Sequence, residues 1–316
     1  MGDPRDRFDR FRRAASGAAA RRVGRAGGAL VRPRRGRTEA DIWDVPVNLI
    51  TGTIGDTEAL HRAMVGVHTV IHLAAAPPWA GARALYDVDV DGARNVVAVA
   101  RSVRVGRIIV LSHIGADRAS AYTLMRVKGE AEEVVRRSGL AYTIVRCGMI
   151  FGEDDRTINA VAMQLKASPG VFFIPADGDT LVHPLWIEDL ARALVSALDN
   201  LDTVDATISV GGPEYLTYEQ TVRTVMRVTR TPRALISLQP YWLRQATWVF
   251  RRLMPRPVLT SQWFDRIAES RTADLNSMSD HFHLQPARFE DTVRTYMPGR
   301  HYGRELIRYV LGRRPY

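Results

Sequence analysis

Short β-branched runs alternate with helical patterns from about residue 28, and this rhythm constrains the fold more than any other feature. The strand candidates are GALV (28–31), VNLI (47–50), TVIHLA (69–74), RIIVLS (107–112) and YTIVRC (142–147). Helical periodicity fills the intervals at 57–64, at 86–101 and from Leu124 to Ser138, where Gly139 suits a C-cap. Such alternation predicts a parallel sheet. Because the strands are apolar nearly throughout, we expect helices on both faces, in a doubly wound α/β fold.

The rhythm loosens after about residue 150, which indicates a smaller second part. The elements predicted there are a proline-containing segment at Leu181–Trp186, a helix at Ile187–Leu198, a strand at Ala206–Val210 and a helix at Thr217–Val228. The remainder is rich in arginine and aromatic residues with helical periodicity. The predicted organisation is a basic segment at 1–27, a core at 28–150 and a C-terminal α+β lobe at 151–316 that interleaves with the core.

The positive charge is concentrated at the N-terminus. Residues 1–37 carry +9 of the formal net charge of +10, because they hold twelve arginines against three aspartates. Such a stretch is either a solvated tail or an arm that binds acidic lipid or nucleic acid, and no motif indicates specific nucleic-acid recognition. The single cysteine, Cys147, excludes an internal disulfide. No apolar run of about 18 residues and no signal core occur, which predicts a cytoplasmic protein, at most peripheral at a membrane.

Five ordered segments resemble the extended and atypical short-chain dehydrogenases, especially the NmrA-like group. They are VNLITGTIGDTEALHRAMVGVHTVIHLAAA, VDVDGARNVVAVARSVRVGRIIVLSHIGAD, RVKGEAEEVVRRSGLAYTIVRCGMIFG, HPLWIEDLARALVSAL and VGGPEYLTYEQTV. Within that superfamily the nearest resemblance is to the dehydrogenase-like accessory subunits of respiratory complex I and their bacterial homologues. The resemblance covers about residues 28–215. It implies a Rossmann-type sheet that binds NADP(H) or NAD(H).

The first strand and the glycine loop of that family are missing or degenerate in this chain. In the family, a GxxGxxG loop lets backbone amides and a helix N-terminus approach the dinucleotide pyrophosphate. The upstream glycines follow no apolar run, and Gly24-x-x-Gly27 is the remaining phosphate-site candidate. A shifted gene start, a frameshift or evolutionary loss would each produce this pattern. We therefore expect nucleotide binding to be weak or lost.

The resemblance implies further cofactor contacts. Arg32 stands where NADP-preferring members place an arginine against the 2′-phosphate, or it is one more tail arginine. Thr53-Ile54 replaces the Asp-Leu pair that contacts adenine, which removes a carboxylate acceptor. Leu73-Ala74-Ala75 matches a small-residue turn beside the cofactor. Cys147-Gly148 matches the Pro-Gly pair whose backbone lies against the nicotinamide.

For hydride transfer the family uses a YxxxK pair on one helix face, where the lysine lowers the pKa of the tyrosine. Alignment on KGEAE puts Lys128 at the lysine position and Leu124 at the tyrosine position, so the acid–base residue is absent. Tyr122 lies about 200° around the helix from position 124. A shifted Tyr122-xxx-Arg126 pair is the alternative. Lys128 can still hold the nicotinamide ribose, or it is a solvated helix lysine.

The remaining candidate catalytic residues end the preceding strand. Ser112-His113 replaces the common Ser-Ser or Ser-Thr pair, and His113 can itself move protons. Together with Lys128, these are the residues on which any catalysis would depend. Cys147 has no partner motif that would make it a nucleophile, and a buried filler role is expected.

Two features lie outside these motifs. His281-x-His283 has ligand-like spacing, but no third ligand is evident, so no metal site is predicted. The segment Tyr241–Met254 (YWLRQATWVFRRLM) mixes aromatic residues with arginines. A segment of this composition either binds an anionic membrane surface or a hydrophobic protein partner, or packs as an amphipathic helix on its own domain.

Three functional hypotheses follow. The first is an accessory, assembly or sensor protein with weak or lost NADP(H) binding and no YxxxK catalysis. The second is an NADPH-dependent reductase, epimerase or dehydratase that works through Lys128 and Ser112, with His113 or Tyr122 as an unconventional proton donor. The third is a peripheral membrane protein that handles an isoprenoid or quinone-like lipid. Whether the chain is an enzyme stays open at this point.

Overall fold

The computed structural model of the protein describes residues 28–31, 48–153, 155–242, 245 and 260–310. The basic segment 1–27, Arg32 and most of Tyr241–Met254 lie outside the described residues.

Short strands alternate with helices along the described part of the chain. The strands are β1 (Gly28–Val31), β2 (Asn48–Thr51), β3 (Thr69–His72), β4 (Arg107–His113), β5 (Ala141–Cys147), β6 (Met149–Phe151), β7 (Val171–Pro175), β8 (Leu181–Val182), β9 (Pro184–Trp186), β10 (Ala206–Val210), β11 (Leu216–Thr217) and β12 (Ala234–Leu238). The helices are α1 (Thr57–Met64), α2 (Ala82–Leu85), α3 (Gly92–Ser102), α4 (Thr123–Arg136), α5 (Ile158–Ala167), α6 (Ile187–Asp199), α7 (Tyr218–Val228), α8 (Ser261–Ile267), α9 (Ser277–Phe282), α10 (Phe289–Tyr296) and α11 (Tyr302–Val310).

The core is a parallel sheet in the strand order β10–β5–β4–β3. In β4, Ile108 packs in a cluster that includes residues of α3, whereas its neighbour Ile109 packs with residues of α6. Successive side chains of a strand point to opposite faces, so helices cover both sides of the sheet. This is the doubly wound α/β fold that the alternating sequence pattern predicts. Since β10 comes from beyond residue 150 and pairs with β5, the second half of the chain completes the core sheet.

The outer edge of β3 has no partner among the described strands. The two strands that resemble the second and third strands of the family, β1 and β2, pair in parallel with each other as a separate unit. This unit joins the core through α1, which packs against α3. In doubly wound dinucleotide folds the first strand lies between the strands that correspond in this chain to β1 and β3. Among the described residues no strand occupies this position.

The helix predicted over residues 86–101 begins earlier and is not a regular α-helix. It starts as α2, continues through a π-helical stretch at Tyr86–Asp91 and ends as α3. A π-helical stretch adds a residue to the turn and rotates the side chains that follow it, and such stretches are common at functional sites. In this protein the stretch contains the buried Asp89.

The smaller lobe packs around large buried aromatic side chains. Phe151 and Phe289 meet edge to face with ring centroids 4.9 Å apart, and Tyr218 meets Trp263 in the same way at 5.5 Å. The helices around this cluster are α5, α7, α8, α10 and α11. No helix in the described part of the chain is long and apolar enough to cross a membrane.

Candidate functional site

The predicted cofactor residues that the structure describes converge on one edge of the fold. Thr53-Ile54, Leu73-Ala74-Ala75 and Gly148 follow the ends of β2, β3 and β5, while Ser112-His113 and Cys147 end β4 and β5. The carboxyl ends of parallel strands meet at the same edge, which is where doubly wound folds bind their ligands. Arg32 and Gly24-x-x-Gly27 lie outside the described residues, so the pyrophosphate end of the site has no structural account.

Lys128 is held by a buried carboxylate that no motif in the sequence indicates. Its Nζ lies 2.6 Å from Asp89 Oδ1, and the Asp89 side chain is 2% exposed. The other oxygen of Asp89 accepts a hydrogen bond of 3.0 Å from the Ala76 backbone N–H, just after the Leu73-Ala74-Ala75 turn. An ammonium has three protons, so Lys128 retains donors for a ribose after binding Asp89. Its neighbours therefore fit the nicotinamide-ribose end of a dinucleotide.

Leu124, which the sequence predicts at the tyrosine position, contacts the short helix α8 through its backbone. The leucine is 2% exposed, and its backbone N–H donates to Asp265 Oδ2 at 3.0 Å. The N-cap residue Tyr122 makes no side-chain hydrogen bond to the first turn of α4. Asp265, which lies on α8, instead accepts the hydrogen bond from this otherwise unpaired backbone amide. The Gln262 side chain ties α8 further by donating to the carbonyls of Pro77 and Ala80. Leu124 is thus fixed through its backbone by α8 and through its side chain by Leu85, Val90 and Ala93.

His113 is a neutral base surrounded by cations. Burial lowers its pKa to about 3, and the charges of Arg266, Lys128 and Arg271 act in the same direction. The Ile114 carbonyl can only accept, so the 2.9 Å contact of His113 Nδ1 assigns the proton to Nδ1 and leaves Nε2 as an acceptor. With a pKa near 3, only about one molecule in 10⁴ carries the imidazolium at pH 7. His113 therefore stays neutral at pH 7 and is poorly suited either to accept or to donate a proton.

Ser112 does not share the surroundings of His113. Its hydroxyl donates to Glu132 Oε1 at 2.6 Å, because alternate residues of β4 point to opposite faces of the sheet. Glu132 is 1% exposed and also binds Arg146 and Arg136, with its Oε2 2.7 Å from each guanidinium. The hydrogen bond to Glu132 raises the pKa of the Arg146 guanidinium. The structure thus brings Lys128 and His113 together and directs the Ser112 hydroxyl into a buried ionic network.

Cys147 and Gly148 lie against the segment that contains His183. A Cβ on Gly148 would overlap the His183 carbonyl oxygen, so that only glycine permits the approach. The Cys147 thiol is buried, and burial raises its pKa, which opposes a nucleophilic role. At the adenine end, Thr53 is exposed, while the Asn95 amide donates to the Ile54 carbonyl at 3.2 Å.

Several residues of this site carried no recognisable signal in the sequence. Asp89 and Glu132 lie inside the motifs that resemble the family, but nothing in the motifs assigns them a role. Asp265, Arg266 and Arg271 come from a region far along the chain with no motif. Burial lowers the pKa of Arg266, and its Nε has no hydrogen-bond partner within the described part of the chain. In the same part of the chain, no cluster of three or more His, Cys, Asp or Glu side chains is arranged to hold a metal.

A doubly wound sheet with a lysine on α4 at the carboxyl edge defines an atypical short-chain dehydrogenase. The chain belongs to the NAD(P)H-binding family, whose model matches residues 13–177. The resemblance noted in the sequence is therefore confirmed. The match begins at residue 13, ahead of β1.

The curated relatives include a photosystem II assembly factor and a subunit of NADH dehydrogenase. The chain is 30% identical over 117 residues to the photosystem II assembly factor Ycf39 of Cyanophora paradoxa, covering 37% of this chain and 36% of that one. It is 29% identical over 164 residues to the mitochondrial NADH dehydrogenase [ubiquinone] 1 alpha subcomplex subunit 9 of Arabidopsis thaliana, covering 50% and 40%. The chain therefore spans well under two thirds of the length of these relatives.

Solved structures share the fold at low identity. A nucleoside-diphosphate-sugar epimerase from Staphylococcus aureus superposes with a TM-score of 0.71 at 16% identity, covering 90% of this chain and 96% of that one. The NADPH-dependent quinone oxidoreductase of Escherichia coli, solved with NADPH, gives 0.71 at 18% identity, covering 90% and 95%. These similarities establish the Rossmann-type architecture.

Proposed function

We propose that the protein is an accessory or assembly factor, or a sensor, that keeps the NAD(P)-binding fold without YxxxK catalysis. One observation carries this proposal. The buried Leu124 occupies the position that the sequence assigns to the acid–base residue, its side chain packs with Leu85 and Val90, and Asp265 of α8 binds its backbone amide. Relatives named as an assembly factor of photosystem II and as a subunit of NADH dehydrogenase support the same role. The protein partner would then be a component of a larger complex.

The nucleotide is NADP(H) or NAD(H), held weakly and contacted by Lys128, the Leu73-Ala74-Ala75 turn and the backbone of Gly148. When bound, such a cofactor can supply a hydride. The residues of this site bind and orient its ribose, whereas none of those that the structure describes is placed as a strong proton donor. A bound nucleotide would therefore act as a structural or sensory ligand.

Titration of the full chain with NADPH and with NADH, followed by nucleotide fluorescence, tests the binding. A dissociation constant below about 10 μM, which corresponds to about 7 kcal/mol, would show that the pocket works. Lys128→Met combined with Asp89→Asn removes the ion pair without leaving a charge unpaired, and we expect it to weaken binding about tenfold. The catalytic part of the proposal fails if the protein reduces carbonyl substrates with NADPH at a rate that Lys128→Met lowers.

Leu124→Tyr tests whether the missing phenol accounts for the loss of catalysis. The substitution restores the YxxxK spacing, but it adds volume at a fully covered position and should cost about 1–3 kcal/mol of stability. We expect no NADPH-dependent turnover, because the side chain at position 124 is enclosed in an apolar cluster with Leu85 and Val90. If turnover appears in the variant alone, the unmodified protein lacks catalysis only because position 124 has no tyrosine hydroxyl.

The alternative of an NADPH-dependent reductase, epimerase or dehydratase keeps one supporting observation. His113 and Lys128 share a site with Arg266 and Arg271, and such a group of cations can stabilise an oxyanion. Substituting His113 with glutamine would then change the pH–rate profile. The low pKa of His113 and the direction of the Ser112 hydroxyl favour the accessory role.

Association with a membrane surface through Tyr241–Met254 is a further proposal, in which the lipid would be isoprenoid or quinone-like. At the start of this segment Tyr241 and Trp242 are each 60% exposed, with their ring centroids 5.3 Å apart. Exposed aromatic rings are suited to a membrane interface. Co-sedimentation with anionic liposomes, abolished by charge reversal at Arg251 and Arg252, tests the proposal. Failure to bind any vesicle would remove it.

A further inference from the structure

A cavity of about 510 Å³ opens in the smaller lobe, where α5, α7 and α10 end. Its lining includes five cationic side chains and no acidic one. These are Lys166, Arg227, Arg230, Arg294 and Arg300. None of these residues belongs to the Lys128 site, so the cavity is separate from the proposed nucleotide site.

Nearby carboxylates balance only some of this charge. Glu290 binds both Arg227, at 2.6 Å, and Arg294, at 2.5 Å. Glu305 lies 3.3 Å from Arg300. Lys166 and Arg230 are exposed, and neither has an ion pair or a side-chain hydrogen bond within the described ranges. Two carboxylates thus face five cations.

Helix dipoles explain part of the excess. Lys166, Arg227 and Arg294 lie in the last turns of α5, α7 and α10, where cations favour the negative helix end. Each end is equivalent to about −0.5 of an elementary charge, so that three ends offset about half of the three uncompensated charges. Arg230 lies beyond the end of α7. A net positive potential therefore remains in the cavity.

The floor of the cavity is apolar. Met297 and Tyr302 are each 1% exposed, and Val228 is half-buried. The hydroxyl of Tyr302 is engaged, since it donates to Asn159 Oδ1 at 3.0 Å. A ligand that fits this lining has a compact, multiply charged anionic group, which contacts the five cations, and a small organic part, which contacts Met297, Tyr302 and Val228. A carboxylate carries a single charge, whereas a phosphate ester carries nearly two.

We propose that this cavity is a binding site for a phosphate ester. The volume lies within the range of small-molecule sites, about 300–1,000 Å³. Lys166 supplies a compact charge, and Arg230 and Arg227 supply guanidinium groups that match phosphate oxygens. The ester is either a free metabolite or the headgroup of an anionic lipid, which share this chemistry.

The test measures binding of glucose 6-phosphate and glycerol 3-phosphate to the full chain by calorimetry at about 0.15 M salt, where surface charges are screened over about 8 Å. A parallel arm measures co-sedimentation with phosphatidylcholine vesicles, with and without phosphatidic acid. The pocket variant is Lys166→Gln with Arg230→Gln. Its matched control is Arg101→Gln with Arg104→Gln. Arg101 lies in the last turn of α3, and Arg104 follows that helix with a φ of 59°, just as Arg230 follows α7 with a φ of 50°.

We expect the pocket variant to weaken binding about tenfold, or about 1.4 kcal/mol, while the control stays within about twofold of the unmodified protein. Because these cations are exposed, both variants should keep the unfolding temperature of the parent. Binding of the free probes indicates a free ester, and binding of phosphatidic acid vesicles alone indicates a lipid headgroup. The proposal is overturned if no probe binds more tightly than about 1 mM, or if the control weakens binding as much as the pocket variant. NADPH titration of the same variants separates this result from the proposed nucleotide site, which shares none of these residues.

Discussion

Glu132 shows how much a single buried side chain supports beneath the proposed site. It accepts hydrogen bonds from Ser112, Arg136 and Arg146 while remaining almost fully buried. Glu132→Ala would leave Arg146 without its carboxylate, and breaking a buried pair costs about 3–5 kcal/mol. Since Arg146 is 25% exposed, water recovers part of this energy, and we expect a loss of about 2–4 kcal/mol. Urea unfolding measures the difference.

The neighbouring Glu133 provides the control. It pairs with Arg137 at 2.5 Å, and that arginine is mostly exposed. Pairs of this kind contribute about 0–1 kcal/mol, so Glu133→Ala should change little. Equal losses in the two variants would show that Glu132 holds no special network.

Gly148 lies where the backbone that follows β5 passes the His183 carbonyl. Because a Cβ there would overlap that oxygen, Gly148→Ala must move backbone atoms. We expect a loss of about 2–3 kcal/mol, within the range of overpacked sites. Gly303 in α11 has open space around it, so Gly303→Ala should raise stability by up to about 1 kcal/mol through helix propensity. Thermal unfolding of both variants compares them, and a neutral Gly148→Ala would contradict the close approach.

At the scale of elements, His183 joins three segments. Its Nδ1 accepts from the Ala273 backbone N–H at 3.1 Å, and its Nε2 donates to the Gly212 carbonyl at 2.7 Å. Both bonds require the neutral ring, and burial lowers the pKa of His183. His183, just before β9, therefore links the segment before α9 to the loop after β10.

This linkage predicts a pH dependence of stability. When the folded pKa of a histidine lies below its unfolded value near 6.5, the unfolded state binds more protons, so stability is lost as pH falls below about 6.5. His183 and His113 share this sign, because burial lowers the pKa of both, that of His113 to about 3. Burial raises the pKa of Asp155 to about 6, so Asp155 has the opposite effect on stability. We therefore expect His183→Gln to flatten the dependence between pH 7 and 5. The exposed His61→Gln is the control, and identical curves for His183→Gln and the parent would contradict this role of His183.

For the whole molecule, α8 is the element that joins the C-terminal part of the chain to α4. It reaches α4 through the bond between Asp265 and the Leu124 amide, and Arg271 donates to the Asp265 carbonyl at 2.6 Å. Asp265→Ala should raise the hydrogen-exchange rate of the Leu124 amide about tenfold, because that amide loses its acceptor. Exchange measured by NMR or mass spectrometry checks this outcome. Glu269→Ala, on the same segment, should leave the Leu124 amide protected.

Much of the fold could be predicted from the sequence because local patterns determine it. The apolar runs and helical periods located β1 to β5, β10, α1, α4 and α6 to within a few residues. Gly139 adopts the left-handed conformation with a φ of 72°, but the C-cap of α4 is Arg137, two residues before the glycine. The π-helical stretch could not be predicted, because it depends on how Asp89 meets Lys128 and Ala76. The predicted site residues fared unevenly for the same reason. The charge of Lys128 acts on His113, whereas alternation along β4 turns the Ser112 hydroxyl towards Glu132.

The sequence by itself determined the doubly wound α/β class and the family, because these follow from periodicity and from residue identity at matched spacings. It also predicts Leu124 at the position of the acid–base tyrosine. Only the tertiary structure decided which groups surround Lys128 and His113. Asp89, Arg266 and Arg271 are separated from them along the chain, and contacts between distant segments leave no periodic trace. The cationic cavity at the ends of α5, α7 and α10 is likewise a product of folding, since its five basic residues come together only when three helices end at one place.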